Sequence, residues 1–160
     1  MIAVYAGNVT GDFVDYNNHM NDAAYALVFS RAADGFFALA GIHAASRAST
    51  GLTIFTLAMM IRYQRQALLG EALHVGARIL EHDARRVRLW LEMARGEGGP
   101  GLASCEQVLT CVRQSETGAK TASFAPDVAA WLYATGHLQA SLAWPAEAGN
   151  GIALKRRSAD

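Results

Sequence analysis

Eight residues, DYNNHMND from Asp15 to Asp22, bring two carboxylates, three Asn and one His together just ahead of a long apolar run. Attack on a carbonyl calls for residues of this kind. A helix N-terminus offers unpaired N–H groups and the positive end of a dipole, a prepared place for an oxyanion. A carboxylate four residues before His19 can lie beside the same carbonyl and either attack it or activate water. Asp15 is therefore the candidate nucleophile or general base. The loop residues Asn18, His19, Met20 and Asn21 are the candidates for shaping the oxyanion site, with the backbone N–H groups around His19, Met20 and Asn21 as its donors. Plainer roles compete. Asp15 suits an Asx turn, Asn21 is a favoured helix N-cap, and Asp22 in the first turn complements the dipole, a structural role. His19 either contacts an acyl group or fixes the loop.

The elements that position this loop follow from periodicity. Residues 2–10, IAVYAGNVT, read as a short strand. From Asn21 to Ala40, Tyr25, Val28, Phe29, Ala32, Phe36 and Leu39 recur at helical spacing. Leu27, Phe37 and Ala38 fill other faces, so the helix is wrapped by other structure rather than laid on a surface. Gly41 stops it, and residues 41–51 read as a small-residue connection.

The period then changes to two. Residues 52–63 form a long strand, which QALLGE (66–71) turns. In 72–80, Leu73, Val75, Ala77 and Ile79 share one side; in 86–94, Val87, Leu89, Leu91 and Met93 do. The GEGGPG loop leads to a strand over 102–113, and Pro126 opens a final helix to Gln139. A Gly/Pro/Ala-rich tail ends in KRR. One strand, one buried helix, four antiparallel strands and a terminal helix make an α+β domain in which a curved sheet wraps the helix.

Bulk properties exclude several classes. At 160 residues the chain is a single domain, 1–160, with its core over about 2–113 and the C-terminal helix and tail over 126–160. The 14 basic and 14 acidic residues cancel, so there is no field to draw nucleic acid or an anionic membrane. No run is long enough and free of charge to span a bilayer, and the opening MIAVYAGNVTGD lacks the basic start of a signal peptide. Cys105 and Cys111 have neither CxxC spacing nor a disulfide framework, which fits a reducing cytoplasm. Apolar residues reach 52% against 18% charged, so part of the exterior is expected to be covered in a homodimer or homotetramer.

The stretch VDYNNHMNDAAYALVFSRAAD and the order of elements resemble hot-dog-fold thioesterases of the 4-hydroxybenzoyl-CoA thioesterase type. Asp15 falls on that family's catalytic Asp and Tyr25 on the aromatic residue further into the central helix. FTLAMMIRYQRQALLGEALHVGARILEHDARRVRLWLEM looks like its continuous hairpin sheet, and the likeness covers about residues 3–113. The DYNxHMN pattern, the following Tyr and the segment WPAEAGNGI are most similar to betainyl-CoA thioesterases of carnitine catabolism. Asn18 stands where relatives usually have Gly; Asn tolerates a left-handed backbone, so the turn is expected to persist.

The resemblance implies hydrolysis of a small acyl-CoA thioester, with coenzyme A as part of the substrate and no separate cofactor. A betainyl group carries a quaternary ammonium, which wants aromatic faces because it donates no hydrogen bonds. Tyr16, Tyr25, Tyr63 and Trp90 are the candidates, each weighed against a plain core role. Gln107, mid-strand among apolar residues, orients water or Asp15 or joins a subunit interface. Arg62, Arg65, Arg85, Arg86 and Arg88 are candidates for the CoA phosphates. His43, His74, His82 and His137 lie on separate elements without ligand spacing, so no metal is expected. Two alternatives stand beside hydrolysis: a hot-dog hydratase or dehydratase using Asp15 and His19, and a non-catalytic acyl-CoA-binding module.

Overall fold

The computed structural model describes residues 1–152; the KRR of the tail and the rest of 153–160 lie outside the described residues. In chain order the elements are β1 (Ile2–Asn8), α1 (Asp22–Leu39), α2 (Ala44–Thr50), β2 (Leu52–Tyr63), β3 (Ala72–His82), β4 (Arg86–Arg95), β5 (Gly101–Ser115), β6 (Gly118–Thr121) and α3 (Pro126–Gln139). The strands form one antiparallel sheet in the order β1-β3-β4-β5-β2, with β6 hydrogen-bonded to the end of β5.

The period-two runs bury the faces expected of them. Leu73, Val75, Ala77 and Ile79 of β3 and Val87, Leu89, Leu91 and Met93 of β4 are all buried. They share one core with Val28, Phe29, Ala32, Ala33, Phe36 and Phe37 of α1. The curled sheet covers this face of α1, but the helix is not wrapped as expected: Leu27 (42% exposed), Ala38 and Leu39 (53%) share an open stripe with Ser30, Arg31 and Asp34. This is the α+β hot-dog arrangement.

Three further expectations need correction. Residues 41–51 are more than a connection, because they contain α2. The His43 ring nitrogen accepts the Ser46 N–H (3.3 Å) while Ser46 Oγ accepts the His43 N–H (2.9 Å), a reciprocal cap built on an uncommon cap residue. The hairpin series is not continuous either. QALLGE carries the chain from β2 at one edge of the sheet toward β3, and β2 pairs with β5 instead, from Leu52↔Arg113 to Tyr63↔Ala103. Local turn chemistry cannot specify a pairing between segments that distant. Lastly β6, four exposed residues with no apolar alternation, gave no strand signal.

The C-terminal part closes the remaining surfaces. Trp131 of α3 packs edge-on against Phe36, with ring centroids 5.2 Å apart. Gln139 Oε1 accepts the Ile79 N–H at 2.8 Å, capping the part of β3 that extends beyond its pairing with β1. Past α3 the chain crosses the sheet's outer face. There Arg78 donates to the carbonyls of Ala143 and Leu142, and the Gly149 N–H donates to Glu106.

α1 approaches β1 so closely that Gly35 has no room for a side chain: a Cβ there would lie 2.2 Å from the Val4 carbonyl oxygen. Alanine exceeds glycine by about 1 kcal/mol in a helix interior, yet backbone has to move to admit it. Gly35→Ala is expected to lower stability by about 1–3 kcal/mol, read as a fall in the urea midpoint. A second expectation concerns the two free cysteines, both buried. Burial pushes the Cys105 thiol up to about 12 and raises that of Cys111. An aromatic disulfide reagent at neutral pH should label neither thiol in the native protein and both after unfolding.

Candidate active site

The loop before α1 is folded by its own backbone. A turn of 3-10 helix at Gly11–Phe13 leads into a bridge between Val14 and Met20. The Asn21 N–H donates to Phe13 O (2.9 Å) and the Asp15 N–H to His19 O (3.2 Å). Inside it, Asp15 Oδ1 accepts the Asn17 N–H at 2.8 Å and Asp15 O accepts the Asn18 N–H at 3.0 Å. Asn18 adopts φ 63°, the left-handed conformation its side chain tolerates. Asn21 is the N-cap of α1, its Oδ1 accepting the Ala24 N–H at 2.8 Å.

This bonding corrects the expected oxyanion donors. The Met20 N–H is committed to Ala67 O (2.8 Å), and those of Asn21 and Asn18 to Phe13 O and Asp15 O. Among the described residues, the N–H groups at the helix mouth left without an acceptor are those of His19 and Asp22. Asp22 is the first residue of α1, where an intrahelical acceptor does not exist.

A cavity of about 350 Å³ opens at this mouth, lined by His19, Met20, Asp22, Tyr25, Tyr63 and Arg65 together with Gln64 and Gln66. Tyr25 is buried, and its hydroxyl donates to Arg65 O at 3.0 Å. Tyr63, at the end of β2, meets Tyr25 edge to face at 5.3 Å and donates to Asp22 O at 3.4 Å. Burial raises the pKa of both phenols; the Asp22 charge adds to the rise at Tyr63. Both stay neutral at ordinary pH and present aromatic walls.

Asp15 is not part of the lining. Its carboxylate is half-exposed in the turn next to His19, which is. Tyr16 is 92% exposed and stands clear of the cavity. Trp90 lies on the other side of the sheet: its neighbours Leu89 and Leu91 face α1, whereas its own Nε1 donates to Glu92 (2.8 Å) on the outer face. Alternation along β4 already implied this placement. Gln107 does face the core and is fully buried, with neither its amide nitrogen nor its oxygen hydrogen-bonded. Glu106, one residue earlier, points outward to Arg88 at 2.6 Å.

The arginine candidates separate as clearly. Arg86 pairs with Asp83, Arg88 with Glu81 and Glu106, and Arg62 is held against the Asn150 carbonyl. Arg85 sits at the β3–β4 turn. Arg65 alone of the five lines the cavity, its guanidinium donating to Gly101 O at 2.7 Å. What the sequence reading missed is Asp22, assigned only a dipole role yet forming a cavity wall; its signal was its place directly after the cap. No cluster of three or more metal-ligating side chains occurs among the described residues.

Residues 9–132 match the family model of the thioesterase-like superfamily. The chain is 31% identical over 154 residues to the betainyl-CoA thioesterase of Pseudomonas aeruginosa, covering 96% of each. It is 28% identical over 148 residues to a Rhizobium meliloti protein named L-carnitine dehydrogenase/betainyl-CoA thioesterase, spanning 29% of that longer protein. Among solved structures, a Staphylococcus aureus protein in complex with CoA superimposes with a TM-score of 0.85 at 27% identity, over 96% of this chain and 98% of the other. A helix mouth with free amides at a cavity, on this fold and with these relatives, makes the chain a thioester hydrolase belonging to the thioesterase-like superfamily.

Proposed function

We propose that this protein hydrolyses a small acyl-CoA thioester to the free acid and CoA, with betainyl-CoA as the substrate. The observation that carries the proposal is the cavity at the start of α1, lined by His19 and Asp22, whose N–H groups have no acceptor among the described residues, and by the aromatic rings of Tyr25 and Tyr63. The thioester carbonyl oxygen accepts from these amides, which hold the negative charge that develops on it. Two of the four aromatic candidates for the ammonium, Tyr25 and Tyr63, are at hand, and Arg65 at the cavity is the cation for a CoA phosphate.

Asp15 lies outside the cavity lining, in the turn beside His19 at its rim, and from that rim it acts as the nucleophile or general base. The Asn17 N–H engages one carboxylate oxygen and fixes the side chain, leaving the second oxygen to attack the carbonyl or to take a proton from water. If Asp15 attacks, breaking the carbon–sulfur bond expels CoA as its thiolate and leaves a mixed anhydride that water hydrolyses to the acid. If Asp15 is the base, the water it deprotonates adds to the carbonyl carbon and the same bond breaks to release the acid and the thiolate. No metal or separate cofactor enters the reaction. Both cysteines are free and buried, and no single helix among the described residues is long and apolar enough to cross a membrane. Reduced cysteines suit the cytoplasm, where we place the protein.

We further propose a homodimer or homotetramer. β2 is a twelve-residue edge strand, and Phe55 (42% exposed) and Leu57 (59%) stand on it uncovered. An edge of that length with unpaired backbone groups is a template for a second strand.

Asp15→Asn should keep the circular dichroism spectrum and lose hydrolysis by roughly 10²–10⁴-fold, followed as free thiol released from acyl-CoA. Wild-type turnover in that variant removes the assignment. A hydratase would release no thiol in the same assay, and a binding module would bind acyl-CoA unchanged. On sizing chromatography at micromolar concentration the protein should elute as a dimer or tetramer; a stable monomer contradicts the edge-pairing proposal.

A further inference from the structure

The cavity has a single acidic wall, and the same residue supplies one of its two free amides. Asp22, exposed at the start of α1, lines the cavity, and its Oδ1 accepts the Ala23 N–H at 2.9 Å. Its second oxygen has no hydrogen-bond partner among the described residues, and no Lys, Arg or His among them forms an ion pair with it. That is an awkward neighbour for an oxyanion. A neutral acyl thioester develops its negative charge against the Asp22 N–H with the Asp22 carboxylate alongside, so like charges face one another across the site. A substrate that brings its own positive charge removes the conflict. In a betainyl thioester the ammonium sits on the carbon next to the carbonyl, so it must occupy the same cavity.

We propose that Asp22 selects for cationic acyl groups: its carboxylate pairs with the substrate ammonium, which Tyr63 covers with its ring, and it disfavours neutral acyl groups of the same shape. This rests on the hydrolase reading above and names the residue that sets its substrate class. The helix tolerates the charge because a carboxylate in the first turn complements the dipole. Tyr63 is fixed for its part by the edge contact with Tyr25 and the bond to Asp22 O.

The test compares kcat/KM for betainyl-CoA with that for tert-butylacetyl-CoA, in which a neutral tert-butyl group replaces the trimethylammonium. The wild type should favour the cationic ester. Asp22→Asn retains an acceptor for the Ala23 N–H and should lower the preference about tenfold, as expected for one partly exposed cation contact, by losing rate on betainyl-CoA and gaining it on the neutral ester. Asp22→Glu, which restores the charge, should recover most of the preference. An unchanged ratio in Asp22→Asn overturns the proposal. So does equal loss on both esters, which would put Asp22 in the reacting machinery, or an Asp22→Glu that behaves like Asp22→Asn. A wild type that releases thiol from neither ester refutes the hydrolase reading itself, a result distinct from an unchanged ratio.

Discussion

The packing of one face of α1 against the sheet is the constraint on which the site depends. Phe29 and Phe36 are fully buried, and Gly35 brings the helix backbone against β1. A helix whose apolar face interlocks with the sheet cannot slide or tilt without opening the core, because protein interiors are close-packed. Its N-terminus therefore emerges at one fixed place. The free N–H groups there are an outcome of burial and not of any residue chosen to make them, since every helix leaves its first amides unpaired.

What the protein adds is a selective spending of those amides. Backbone donors near a core are nearly always satisfied, and the loop satisfies most of its own: Met20 to Ala67, Asn21 to Phe13, Asn18 to Asp15, Ala24 to the Asn21 side chain. The two left over, at His19 and Asp22, belong to residues that line the cavity. The Met20–Ala67 bond pins the loop to the segment after β2, where Tyr25 also donates to Arg65 O, while the Asn21–Phe13 bond closes the loop on itself. A site that must be in place before the charge appears needs such rigidity.

Much of this was legible in the sequence. The helix from Asn21, its cap, the left-handed Asn18, the paired apolar faces of β3 and β4 and the Pro126 start of α3 all follow from local periodicity and capping chemistry. What was not legible is long-range or accounting in kind. The pairing of β2 with β5 leaves no local trace, and the His43 cap of α2 is an uncommon one. The donors were misassigned to Met20 and Asn21 because sequence names the helix mouth without showing which amides the loop has already used. Tyr16 and Trp90 failed as cavity residues for different reasons. The first is an exposed turn position, whereas the alternation already visible in β4 put the second on the far face of the sheet.

The sheet's outer face explains why a chain so poor in charge concentrates what it has. Arg78, Arg88 and Glu106 project from neighbouring strands and are covered by the segment from Leu142 to Gly149, to which Arg78 and Glu106 hydrogen-bond while Arg88 lies 5.8 Å over the Trp144 ring. Buried charges are tolerated only when paired, and here strand side chains and tail carbonyls pair them. With α1 against one face and this segment across the other, β2 is left as the long edge, its free side paired by no other strand among the described residues. Tyr63 is the last residue of that strand and a wall of the cavity. A second copy pairing along β2, as proposed, would bear on the position of Tyr63, and through it on the proposed fit of the acyl group, so that assembly and substrate choice would meet at a single side chain.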